Sequence, residues 1–126
     1  WSPTLMQAIA SAALQMVSTF DAQALSNVMW SFARLQIWHE QLVDAIGAAV
    51  MAMRAELTTQ ELANISWALA KFNHADQPLL SVLSGELMRH MAELNRLELS
   101  VTAWAFATLS EQRRELLDAV ADAALE

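Results

Sequence analysis

Cysteine is absent from this chain, so it can hold no disulfide, no thiol nucleophile and no cysteine-ligated metal. Glycine and proline number two each. That excludes a glycine-rich phosphate loop and leaves little room for tight hairpins. Charged residues make up only 17%, against roughly 25% in an ordinary soluble domain. Bases are scarcest. Seven Lys and Arg face 14 Asp and Glu, for a net charge of -7 and a pI near 4.8. This acidity weighs against the body as a whole gripping a nucleic-acid backbone. Long apolar runs are missing too. The longest, Ala45–Met53, is far short of the roughly 20 residues a bilayer demands, so a membrane span is not expected. No basic region followed by an apolar run marks a signal peptide. The chain begins at Trp1 rather than Met, which reads as a processed chain or a piece of a longer one.

What remains is apolar surface. Hydrophobic residues make up 56% of 126 residues, too many for a disordered chain and enough for one domain. The tryptophans show how this surface is organised. Trp30, Trp67 and Trp104 are spaced by 37 residues each time. At the same offset Leu25, Leu62 and Leu99 coincide, as do Asn27 and Asn64, and Ala33, Ala70 and Ala107. So do Leu5, Leu42, Leu79 and Leu116, and Ile9, Ile46, Leu83 and Val120. Residues 21–57 and 58–94 are identical at ten positions. A fixed period of this length marks a repeat architecture.

Each unit carries two helical patterns. The first is predicted over 22–36, 59–73 and 96–109; the second over 3–18, 40–55, 77–92 and 113–125. Asp21, Thr58 and Asn95 precede the first helices, and Ser2 and Asp76 precede two of the second ones. These are good N-caps, because a short side-chain oxygen can accept from the free N–H groups of the first turn. Pro3 and Pro78 lie in first turns, where a missing N–H costs nothing. Alternating runs that would argue strands are absent, and Ala, Leu, Met, Gln and Glu favour helix. Two helices of this length cannot bury both apolar faces alone, but stacked pairs can. The expected fold is all-α: an α-solenoid of about three and a half helix pairs with a 37-residue period. The expected units are a half repeat over 1–20 and repeats over 21–57, 58–94 and 95–126.

At 100° per residue, Leu25, Val28, Phe32 and Leu35 share one stripe, expected to meet Leu42, Val43, Ile46, Ala49, Val50 and Met53 of the following helix. Small residues flank it and let neighbouring helices approach. Opposite lie Gln23, Asn27, Trp30 and Arg34, then Gln60, Asn64, Trp67 and Lys71. In the third unit the set becomes Leu97, Val101, Trp104 and Thr108. This stripe is expected to line a groove. Two readings stand. In one, a nucleotide base stacks on each Trp while Asn and Gln bond its edges. In the other, Trp folds sideways over the neighbouring unit, Asn bonds a backbone carbonyl, and the cations are merely solvated.

The run Gln60-Glu61-Leu62-Ala63-Asn64-Ile65-Ser66-Trp67-Ala68-Leu69-Ala70-Lys71-Phe72 resembles the repeat of the octotricopeptide family and its heptatricopeptide relatives. Residues 24–35 form a second copy and 100–109 a degenerate third. The resemblance implies an organellar protein, in plastid or mitochondrion, that acts on single-stranded RNA.

No catalytic constellation is apparent. His39, His74 and His90 form no metal-binding pair on a helix and are expected to be solvated or capping. Asp118 and Asp122 lie one turn apart and read as a solvated face, with weak cation chelation as the alternative. Met51, Met53, Met88 and Met91 read as core filler or adaptable interface. No enzyme activity, cofactor, metal or small-molecule substrate is expected. The partner is expected to be single-stranded RNA or, failing that, neighbouring protein subunits of a large assembly. For the second case the apolar ends of the stack, Trp1, Leu5 and Ile9 at one end and Val120 and Leu125 at the other, would need covering.

Overall fold

A computed structural model of the protein describes residues 3–109 and 114–125, the side chains of 114–117 excepted. Among the described residues there are seven α-helices and no strand. They are α1 (Pro3–Met16), α2 (Ala22–Arg34), α3 (Glu40–Ala52), α4 (Thr59–Phe72), α5 (Gln77–Arg89), α6 (Arg96–Thr108) and α7 (Arg114–Leu125).

The helix starts follow from their caps. Asp21 Oδ1 accepts from Ala24 N at 2.8 Å, and Asp76 Oδ1 from Leu79 N at 3.2 Å. Thr58 and Asn95 go further. Each accepts from the third residue of its helix, while Glu61 and Glu98 reach back to accept from the cap's own N–H. Such reciprocal boxes satisfy two of the donors a helix start leaves open. His39 Nδ1 accepts from Leu42 N at 3.1 Å, which makes it the cap of α3. Ser2 and Trp1 lie outside the described residues, as does the side chain of Leu116.

The helix ends differ from expectation. α1, α3 and α5 stop early and tighten into 3-10 turns at Val17–Thr19, Arg54–Glu56 and Met91–Glu93, themselves 37 residues apart. α2 ends at Arg34, not 36. Gln36 takes a left-handed φ of 58°, and Ile37 N donates to Phe32 O. Asn73 does the same at φ 53°, with His74 N donating to Leu69 O. This closing motif usually uses glycine. One consequence is that Leu35, expected in the core stripe, is 43% exposed, while Ile37 is buried.

The helices stack in two layers. α2, α4 and α6 lie side by side in an inner layer, while α1, α3, α5 and α7 follow one another in an outer layer. Each inner helix also packs on the outer helix that follows it. The inner helices make the closest backbone packing in the molecule, and small side chains allow it. Ser26 and Ala33 are buried on α2, as are Ala63, Ser66, Ala68 and Ala70 on α4 and Ala105 on α6. Between the layers Leu25, Leu62, Leu69 and Phe106 meet Leu42, Ile46, Leu79, Leu83 and Leu87 in one apolar cluster. Each such side chain contributes about 1.5–3 kcal/mol on burial. The pairs thus form an α-solenoid.

Candidate nucleic-acid interface

With Leu25, Leu62 and Phe106 turned to the outer layer, 100° geometry turns the opposite stripe outward. Gln23, Asn27, Arg34, Gln60 and Lys71 are exposed or partly so; Trp30, Asn64 and Trp67 are half-buried. Trp30 and Trp67 meet across the α2–α4 boundary, ring centres 5.9 Å apart and planes tilted by 33°. Trp30 therefore does lean onto its neighbour, where it meets the equivalent ring. Neither Asn27 nor Asn64 makes a side-chain hydrogen bond among the described residues, so the expected bond to a carbonyl is not formed.

Each ring carries its own cation. Arg34 Cζ lies 5.3 Å from the Trp30 ring centre and Lys71 Nζ lies 5.7 Å from that of Trp67. The cause is local: a residue four positions on sits over the same helix face, and the ring's electron-rich face attracts the charge. Both cations stand in the last turn of their helix, where they also face the negative end of the backbone dipole.

The structure brings Asn27, Trp30, Gln60, Asn64 and Trp67 together with Leu97 and Val101 around one shallow groove of about 490 Å³. Gln23 lines a separate depression of about 300 Å³ with Asp21, Glu56 and Glu61. Arg34, Lys71, Trp104 and Thr108 do not line either one. The stripe residues of α2 and α4 include no acid. Acids stand at the helix starts instead: Asp21 and Glu61, held by their capping bonds, and Glu98, which lines a depression with Gln60 and Asn64. Along α2 and α4 the outward stripe thus runs from acids at the helix starts through amides and rings to a cation in the last turn, while the groove itself is lined by amides, rings and apolar side chains. Sequence periodicity locates these residues; the wall that Leu97 and Val101 supply to the groove is legible in sequence only as a loss of the motif.

The histidines take structural places. His39 caps α3. His90 Nδ1 lies 2.6 Å from Glu93 Oε2. His74 packs against Trp38, ring centres 5.0 Å apart. Asp118 and Asp122 are not buried, and Met88 is exposed rather than core. No cluster of His, Asp and Glu among the described residues could hold a metal ion. No described helix is long and apolar enough to cross a membrane. Of the apolar ends, Leu5, Ile9 and Leu125 are exposed, but Val120 is buried.

A stack of helix pairs that presents one stripe on successive helices is a helical-repeat solenoid. More particularly, the chain belongs to the family of RNA-editing substrate-binding complex 6 proteins, whose sequence profile matches residues 3–77. That match runs from the start of α1 to the first residue of α5. It takes in both helices with the full Gln-Asn-Trp-cation stripe. No curated protein matches the chain.

Proposed function

We propose that this chain is a non-enzymatic RNA-binding module of an RNA-processing assembly, and that single-stranded RNA crosses α2 and α4. The observation that carries the reading is the recurrence of one amide-amide-Trp-cation set on two adjacent helices, with the rings 5.9 Å apart. In it, bases stack on Trp30 and Trp67, each stack contributing about 1–3 kcal/mol. Asn27, Asn64, Gln23 and Gln60 bond base edges. Arg34 and Lys71 leave the rings to neutralise phosphates at the cationic end of the stripe. The acidic end keeps the backbone on that side. Membership of a family named for binding an RNA-editing substrate supports this reading.

Three finer parts belong to the same proposal. The units are bounded at 1–20, 21–57, 58–94 and 95–126. The repeat is of octotricopeptide type, on the strength of the Leu-Ala-Asn-x-x-Trp-Ala-x-Ala-Lys run at 62–71. The site of action is an organelle, as that resemblance implies. Trp104 and Thr108 extend the stripe in position but offer neither amide nor cation.

The test is fluorescence anisotropy with a labelled single-stranded oligoribonucleotide across a salt series. Wild-type protein should bind at low salt. Arg34→Ala with Lys71→Ala should weaken binding about tenfold. The same pair should flatten the dependence of log K on log salt by about 1.4 units, about 0.7 for each phosphate no longer neutralised on a single strand. The reading fails if wild-type protein does not bind at low salt, or if this pair and the Trp30→Ala/Trp67→Ala pair leave affinity unchanged.

A further inference from the structure

The outward face of α6 has a different chemistry from those of α2 and α4. At the positions of Gln60, Asn64, Trp67 and Lys71 it carries Leu97, Val101, Trp104 and Thr108. Leu97 is 71% and Trp104 44% exposed. The spacing 97, 101, 104 puts all three apolar side chains on one line. On the opposite side α6 buries Thr102, Ala105 and Phe106. It is therefore apolar on two faces, and a helix apolar all round is ordinarily covered on both.

Beside Leu97, between α4 and α6, lies a depression of about 200 Å³. Leu97, Val101 and Ala63 line its apolar part, and Asn95, Glu98, Gln60 and Asn64 its polar part. Glu98 is the only charged group lining it among the described residues.

We infer that this face of α6 docks a partner protein through an amphipathic helix: apolar side chains at i, i+3/i+4 and i+7 meet Leu97, Val101 and Trp104, and a flanking Lys or Arg meets Glu98. The chemistry favours a peptide over RNA. The α6 stripe lacks the cation and the amides that RNA would need. It has instead a Trp among apolar neighbours, the composition of the centre of a protein interface, at the spacing of helix-in-groove recognition. Leu97 and Val101 also wall the groove that holds Trp30 and Trp67, so a docked helix and bound RNA would share that edge and compete for it. The inference stands whether or not that stripe takes RNA.

The test uses the whole chain and three synthetic peptides: an amphipathic Leu/Lys helix of about four turns, the same composition scrambled, and an amphipathic Leu/Glu helix. Binding is followed by Trp emission and calorimetry. The Leu/Lys helix should bind one to one and shift the tryptophan emission to the blue, a shift that the Trp104→Phe variant loses. Leu97→Ser with Trp104→Phe should weaken it at least tenfold, while Arg34→Ala with Lys71→Ala should not. Glu98→Gln, which keeps a capping oxygen, should weaken it severalfold. The inference is overturned if the scrambled or the Leu/Glu peptide binds as well as the Leu/Lys helix. It is also overturned if the Leu97/Trp104 variant binds undiminished, or loses affinity for single-stranded RNA rather than for peptide. Circular dichroism of each variant separates loss of fold from loss of binding.

Discussion

α4 and α6 begin alike and end up presenting different surfaces. Both start with a reciprocal capping box, Thr58 with Glu61 and Asn95 with Glu98. Both bury a leucine or phenylalanine against the outer layer, and both place a Trp on the outward stripe. Yet α4 sets its Trp among two amides and a lysine, with a neighbouring ring in reach, whereas α6 sets its Trp beside a leucine and a valine. The shared features maintain the stack, and a solenoid demands them at every unit. The outward stripe adds little to the buried core beyond Trp67, on which Trp30 leans, so most of its positions are free to change. A repeat scaffold can therefore vary the chemistry of its outward stripe from helix to helix at little cost to its fold.

The largest effect that would sharpen this contrast lies within α6. Phe106→Ala should cost about 3–5 kcal/mol, because it removes a wholly buried ring and leaves a cavity. Trp104→Ala, two residues away on the outward face, should stay within about 1 kcal/mol, since surface substitutions rarely exceed that. Urea unfolding measures both. Equal costs would mean that the two faces of α6 are not distinct.

Grafting the α4 stripe onto α6 tests the functional half of the comparison. Leu97→Gln, Val101→Asn and Thr108→Lys together should raise affinity for single-stranded RNA about tenfold, by one stacked base and one phosphate. Binding of the Leu/Lys helix should fall in the same variant. An unchanged RNA affinity would show that the α4 stripe does not act through these residues.

Thr102 offers a smaller break. It stands where α2 and α4 carry Val28 and Ile65, and its hydroxyl is buried without a partner. Thr102→Val should stabilise the fold by about 1 kcal/mol, because a buried unbonded hydroxyl is removed at constant shape. Thermal unfolding should move up by about 3 °C. Gly85→Ala on α5 is the mildest. Nothing lies within 4 Å of a Cβ built there and its φ is not positive, so the gain is the helix propensity alone, about 0.5–1 kcal/mol. Lack of any gain in the same thermal melts would show that α5 is strained there.

The sequence makes the helix starts plain and leaves the helix ends obscure, for a physical reason. Asp21, Thr58, Asp76 and Asn95 announce a start with a side chain whose chemistry suits a cap. The ends at Gln36 and Asn73 use left-handed backbone without glycine, so nothing in composition marks them, and periodicity alone places Leu35 in the core. The 3-10 turns after α1, α3 and α5 are equally silent. The stripe itself is legible, since period 37 and period 3.6 together fix a face. What the sequence does not supply is distance. That Trp30 leans onto Trp67 and that Arg34 and Lys71 rest on the rings depends on how closely α2 and α4 approach, which the small buried residues between them decide.

That same approach shapes how the chain gains and loses structure. Among the described inner helices, α4 alone has an inner neighbour on both sides, and it buries more of its residues than α2 or α6. Stability in stacked repeats is nearly a sum of nearest-neighbour terms. The amide protons of α4 should then exchange most slowly with solvent, with protection falling toward both ends. Opening would spread inward from the edges, and α2 and α6, which carry the two proposed ligand faces, would loosen before α4 came undone.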